Sequence, residues 1–195
     1  MTVRGDAGLG GGNDLEEARL VLGGMDDPLV GRFLALMNAH PDALDRRCRP
    51  GHLTGSALVL DATGTETLLL LHTKLGRWLQ PGGHADGDGN LARVALREAT
   101  EETGIPGLRI HPTPVQLDIH RVAPPTEDAH LHYDVRFLVL APADAQPQPN
   151  HESQALRWVP LDGLADMGCD PGLIALGAIA QAGEIPFPVI EDRPG

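Results

Sequence analysis

Apolar residues recur at helical spacing in two early segments, residues 14–22 and 28–38, where Leu29, Phe33 and Leu36 mark one face. The pattern predicts one or two amphipathic helices ahead of the main fold, packed on the domain or on a second subunit. From Ser56 the period changes. Residues 57–60 and 68–71 are short apolar runs separated by residues 61–65, whose Asp and Gly suit a turn, so the pair predicts a β-hairpin. Helical character returns over residues 91–103, with Asn90 or Asp88 available to cap the start and Gly104 placed to end it. Further strands are expected at residues 115–121, 130–139 and 155–159, and a last helix at residues 170–182. Residues 141–150 hold three prolines and little apolar content, which predicts an exposed, irregular loop. Strands outnumber helices and only one helix separates the two groups of strands. The expected class is therefore α/β in the α+β sense: a mixed, largely antiparallel sheet with helices packed on it.

The glycine-rich stretch at residues 7–13 has no predicted strand before it, so it reads as a flexible leader rather than a phosphate-binding loop. Residues 1–50 are accordingly expected to form a leader and helical extension, and residues 51–195 a single domain; no internal repeat is visible. A hydrophobic content of 42% with 22% charged residues is that of a globular protein.

Charge narrows the candidate partners. The formal net charge is −12, from 27 acidic and 15 basic residues, which opposes the counterion-release binding that polymeric nucleic acid requires. The same excess repels a polyphosphate, unless divalent cations sit between protein and phosphate. Cys48 and Cys169 stand far apart without metal-ligand spacing, so two reduced thiols are expected rather than a disulfide or a zinc site. No apolar run reaches signal-peptide or membrane-span length, so neither export nor a membrane is expected and the placement is cytoplasmic.

The chemistry concentrates on the helix expected over residues 91–103. At about 100° per residue, Glu98, Glu101 and Glu102 fall within one arc while Ala92, Leu96 and Ala99 point elsewhere. Three carboxylates at these spacings repel one another by a few tenths of a kcal/mol per pair on a solvated helix. An acidic helix by itself is an ordinary solvated face. Arg97 can neutralise one glutamate, but close carboxylates on a rigid element also suit hard divalent cations that bridge to phosphate. Pro81, Gly82 and Gly83 just upstream allow backbone to approach the same place.

From Gly83 to Ile105 the segment resembles the Nudix box: Gly, five residues, Glu, seven residues, Arg-Glu, an aliphatic, any residue, Glu-Glu, any residue, Gly, aliphatic. Gly83, Arg97, Glu98, Ala99, Glu101, Glu102, Gly104 and Ile105 match, whereas Gly89 stands where the first Glu belongs. Meeting only the Gly, Arg-Glu, Glu-Glu and Gly positions by chance has a probability on the order of one in a million per window. The flanking strand order fits the family fold from about Leu53 to Leu164.

The resemblance implies an α/β/α sandwich that binds Mg²⁺ or Mn²⁺ and hydrolyses the phosphoanhydride of a small nucleoside-diphosphate-linked substrate. It implies Glu98 and Glu102 as principal ligands, Glu101 as an additional or water-mediated one, the Gly82 carbonyl as a backbone ligand, and Arg97 as the residue that holds the glutamates. Asp86 or Asp88 is the candidate replacement for the missing box Glu. Glu152, six residues before Trp158, resembles the loop glutamate that completes the metal site in the family's antimutator pyrophosphohydrolases.

Outside the box, Trp78 invites a base-stacking role, set against packing of its loop on the sheet. His130, His132 and Asp134 alternate along one strand, with Asp118 and His120 on the preceding one. That face is expected either to line a substrate pocket or to be a plain polar surface. Two further classes compete with the enzyme: a Nudix-fold nucleotide sensor without turnover, suggested by Gly89, and an acidic module dimerising through its N-terminal helices. A homodimer fits either helical role.

Overall fold

The computed structural model describes residues 15–123, 127–151 and 153–183. The glycine-rich stretch at residues 7–13 and Glu152 lie outside the described residues. Helices α1 (Leu15–Gly23) and α2 (Val30–Ala39) lead into β1 (Gly51–Leu60), β2 (Glu66–His72), β3 (Trp78–Leu79) and β4 (Gly82–His84). Helix α3 (Leu91–Thr103) follows, then β5 (Arg109–Ile110), β6 (Gln116–Val122), β7 (His130–Leu140), β8 (Ser153–Pro160), a 3-10 turn (Leu161–Gly163) and α4 (Pro171–Gln181).

Strand β1 is the axis. All ten of its residues are buried, as expected of a strand covered on both faces. It runs parallel to β7 over its full length, from Gly51 opposite Leu131 to Leu60 opposite Leu140. On its other side it pairs antiparallel with β4 near its start and with β2 at Leu60. β6 and β5 extend the sheet beyond β7, and β3 and β8 extend it beyond β2, all antiparallel. The expected mixed, largely antiparallel sheet is what forms.

Alternation along the strands divides the core in two. Leu53, Ala57 and Val59 of β1 join Tyr133, Val135, Phe137 and Val139 of β7 under α1, α2 and α3. Leu58 and Leu60 join Leu69, Leu138 and Val159 under Leu173 and Leu176 of α4. Helices thus cover both faces, giving the expected α/β/α sandwich. Phe33, Leu36 and Met37 of α2 are buried in the same cluster as α3. A fully buried side chain of this size contributes roughly 1.5–3 kcal/mol.

Helix α3 carries the sequence signals predicted for it. The Asn90 side chain accepts from Arg93 N–H at 3.0 Å, and Gly104 closes the helix in the left-handed conformation at φ 66°. Gly55 lets the helix lie directly on β1: a Cβ there would stand 2.8 Å from the Leu91 carbonyl oxygen and 3.2 Å from the Ala95 nitrogen. The two- and three-residue strands β3, β4 and β5 have no counterpart among the elements expected from the sequence, and β1 begins six residues before the apolar run at 57–60.

Candidate active site and the histidine face

The buried side of α3 turns its acidic residues towards β4. Gly83 sits against Glu98 so closely that a Cβ would lie 2.4 Å from the carboxyl carbon. Glu98 Oε1 accepts from Arg97 Nη2 at 2.7 Å, and the same guanidinium donates to the His84 carbonyl at 3.0 Å. One turn on, Glu102 is 5% exposed, and its Oε2 accepts the Gly82 N–H at 2.9 Å. Glu98 and Glu102 therefore converge on the Gly82–Gly83 backbone. Glu101 is exposed on the same helix, and its carbonyl receives Asn150 Nδ2 at 3.0 Å.

The gap left by Gly89 is not filled by either aspartate. Asp88 pairs with Arg93 at 2.6 Å, and Asp86 pairs with Arg46. Arg97 instead takes Glu98 and a backbone carbonyl as partners. The Arg46 hydrogen bonds hold the Asp86 carboxyl below its usual range.

This end fits a hard divalent cation. Its donors are carboxylate oxygens, the two glutamates come together despite their charge, and the missing Cβ at position 83 lets the Glu98 carboxylate lie against the backbone. Mg²⁺ or Mn²⁺ suits that oxygen chemistry better than a soft ion does.

The opposite face of β4 and its neighbours is rich in imidazole. Residues alternate across a strand, so His84 points away from the side on which Gly83 meets Glu98. His52 lies opposite His132 in the parallel β1–β7 ladder, and His120 lies opposite His132 in the β6–β7 ladder. The His52 ring centroid is 5.0 Å from that of His84, 4.9 Å from that of His130 and 4.9 Å from that of His132. His120 stands 5.4 Å from His132.

Burial pushes His52 down to about 4, helped by His84 and His130, and pushes His132 far below the ordinary imidazole range. His84 is lowered by burial and then by Arg46. His120 moves the other way, because its Nδ1 lies 2.7 Å from Asp118 Oδ2.

Asp134 is only 2% exposed. It accepts from Thr54 Oγ1 at 2.9 Å, from Ser56 Oγ at 2.8 Å and from Arg136 Nε at 2.9 Å. Arg136 also donates to Asp118 at 3.0 Å and Gln116 at 3.0 Å, so this buried charge network is mutually satisfied. His130, His132 and Asp134 do share the face with Asp118 and His120. His52, Thr54, Ser56 and His84 complete it, and none was singled out beforehand. The alternation His52, Thr54, Ser56 carried the signal, but it is visible only once β1 is begun at Gly51.

Trp78 lies away from this cluster, half-buried against the α4-side core with the Arg157 guanidinium 5.6 Å from its ring centre. Among the described residues no helix is long and apolar enough to cross a membrane. Cys48 and Cys169 are both free and buried.

Residues 52–173 match the NUDIX domain family. Over 121 residues the chain is 34% identical to a Mycobacterium tuberculosis protein assigned by name as 8-oxo-dGTP diphosphatase 3, covering 57% of this chain and 52% of that protein. The chain thus spans about half the length of the curated relatives it matches. Among solved structures, a Caenorhabditis elegans Ap4A hydrolase complex is similar with a TM-score of 0.56 and 21% identity, covering 67% of this chain and 95% of that one. RenU, a Nudix hydrolase of Mycobacterium smegmatis, has a TM-score of 0.53 and 23% identity, covering 72% and 89%. These likenesses establish the fold.

Proposed function

We propose, from the premise that this chain belongs to the Nudix family, that it is a metal-dependent pyrophosphohydrolase of small nucleoside-diphosphate-linked substrates. The observation that carries the reading is the convergence of Glu98 and Glu102 on the Gly82–Gly83 backbone. In it, Glu98 and Glu102 would hold the cation, the Gly82 carbonyl would add a backbone ligand, and the exposed Glu101 would be an additional or water-mediated ligand. Bound there, Mg²⁺ or Mn²⁺ would offset charge on the phosphate oxygens and lower the pKa of the attacking water.

Arg97 fixes the rotamer of Glu98 through its Nη2 contact, and the Gly82 N–H fixes that of Glu102. Both glutamates are thereby set before substrate arrives, which is how electrostatic stabilisation avoids reorganisation during the reaction. Glu152 takes the proton from the attacking water as general base or serves as a further ligand. Glu152→Gln is therefore expected to lower kcat by about a hundredfold or to raise the Mg²⁺ requirement, leaving the metal-free thermal midpoint in place. Wild-type kcat and metal dependence in that variant would remove Glu152 from the site.

We place the substrate's nucleoside contacts at the rim of the polar sheet face, with His120 as a candidate contact there and Trp78, which lies apart from the histidines, as a separate candidate for base stacking. The buried His130 and Asp134 and the half-buried His132 form the floor beneath. Binding a small diphosphate in the cytoplasm, rather than a polynucleotide, accords with the charge of −12.

A panel incubation with Mg²⁺ tests the substrate class. It contains nucleoside diphosphate sugars, ADP-ribose, dinucleotides and dinucleoside polyphosphates, and nucleoside triphosphates including 8-oxo-dGTP, the compound in the curated relative's name. Phosphate-containing products from at least one class are expected. Saturable binding without turnover across the panel would favour the sensor reading that Gly89 suggests.

A further inference from the structure

We propose that His52, His130 and His132 form a second metal site, which takes a borderline divalent transition-metal ion of the Zn²⁺ class. It goes beyond the pyrophosphohydrolase reading, because it uses nitrogen donors on the opposite face of β4 from Glu98.

The geometry begins with register. His52 and His132 are direct neighbours across the parallel β1–β7 ladder, and His130 lies two residues along β7 on the same face. One ring nitrogen from each of the three comes within 4.8 Å of the others. Three nitrogens at about 2.0–2.1 Å from a tetrahedral ion stand about 3.3 Å apart. The rings thus need to close by little more than a bond length, which side-chain rotation on fixed strands supplies. Three imidazoles with one open position make a recurrent zinc arrangement.

His52 is the second and independent observation. It is 1% exposed, and neither of its ring nitrogens makes a hydrogen bond of normal geometry, the Cys48 backbone acting on the ring only weakly. Buried polar atoms in folded proteins are almost always satisfied, and an ion or water is a usual explanation of one that is not. Here the ring faces other imidazoles on three sides.

His130 supplies the tautomer. Its Nδ1 lies 2.8 Å from the Asp128 carbonyl oxygen, which can only accept, so Nδ1 carries the proton and Nε2 presents its lone pair. A ligand imidazole held by its other N–H to a carbonyl is a usual outer support of metal sites. His120 is held in the same way by Asp118, on the flank of His132. The donor set also decides the ion. Imidazole suits Zn²⁺, Cu²⁺, Ni²⁺ or Fe²⁺ and not Mg²⁺, so the two sites would not compete for one metal.

The test is metal binding by the full-length protein after chelator treatment. Zn²⁺ is titrated against a chromophoric chelator in millimolar Mg²⁺, and Co²⁺ is followed by its visible spectrum. The expected result is one Zn²⁺ held more tightly than about 1 µM, undisturbed by Mg²⁺. Co²⁺ should give a four- or five-coordinate spectrum with no thiolate charge-transfer band.

His52→Gln and His132→Gln should each weaken Zn²⁺ binding by about a hundredfold or more, whereas Glu98→Gln and Cys48→Ser should leave it unchanged. Cys48 is included because it lies with His40 and Asp42 in another group of candidate ligands. Three outcomes overturn the proposal: absence of stoichiometric Zn²⁺ binding by the folded wild type, a thiolate band with Co²⁺, or Zn²⁺ binding lost in Glu98→Gln or Cys48→Ser but kept in the histidine variants. The Co²⁺ spectrum of the wild type decides between nitrogen and sulfur ligands even if a histidine variant fails to fold. Because all readouts are binding, failure of the pyrophosphohydrolase reading would leave this test intact.

Discussion

Gly83 shows how much one missing side chain can decide. A methyl group there would press on the Glu98 carboxylate, which is the movable end of a side chain and can swing aside. Gly83→Ala should therefore fold with a thermal midpoint within a few degrees of wild type. Its turnover should fall by about 10–100-fold, since a displacement on the order of 1 Å at a catalytic group has effects of that size. Steady-state kinetics on the substrate identified by the panel check this, and unchanged kcat would mean that the position of Glu98 against Gly83 is immaterial.

Asp61 illustrates a residue whose charge serves the fold instead. Burial raises its pKa, but donation from the Thr63 hydroxyl and from the backbone N–H groups of Glu66, Thr65 and Thr63 outweighs that and holds it below the usual value. A depressed carboxylate contributes stability above its unfolded pKa of about 3.9, and that contribution is lost as pH falls through the folded value. Asp61→Asn should cost about 1 kcal/mol at pH 7, and the gap to wild type should shrink as pH drops below about 4. Chemical denaturation at both pH values measures it; a gap that is constant with pH would contradict the assignment.

At the scale of elements, the seat of α3 on β1 is set by backbone contact at Gly55. An added Cβ would meet the Leu91 carbonyl and the Ala95 nitrogen, neither of which can rotate away. Gly55→Ala is expected to lower stability by about 1–3 kcal/mol, as overpacking does, with the denaturant midpoint shifted and the slope unchanged. A midpoint equal to wild type would show that the helix can move off the strand.

Helix α3, the β1–β2 hairpin and the long strands β6 and β7 were legible in the sequence because their periodicity is strong and their turns and caps are explicit. β3, β4 and β5 were not, since two or three residues have no period; they are strands only because longer neighbours offer hydrogen-bond partners. Part of the polar face was lost with them. His84 lies on β4, and His52 lies on the part of β1 that the apolar run 57–60 does not reveal. The acidic residues were legible as a motif, yet which of them turn inward was not. Glu102 is buried and Glu101 exposed because β4 packs against only one side of their arc.

At the scale of the whole molecule, the strand order places oxygen donors and nitrogen donors on opposite sides of one short strand. The parallel pairing of β1 with β7 joins residues about eighty positions apart, which no local pattern announces. α1 and α2 are drawn into the same core as α3, so the N-terminal helices contribute to the body that carries the site. Under the proposed function, the α3 carboxylates would be the metal-holding part of the molecule.

The most direct test of that account is the initial rate of phosphoanhydride hydrolysis as Mg²⁺ is titrated into metal-free wild type and metal-free Glu102→Gln. The account predicts no turnover without the cation, a saturable rise with it, and a rate at least about a hundredfold lower in Glu102→Gln at every concentration. Turnover that does not need a divalent cation, or a Glu102→Gln titration that overlays wild type, would contradict it.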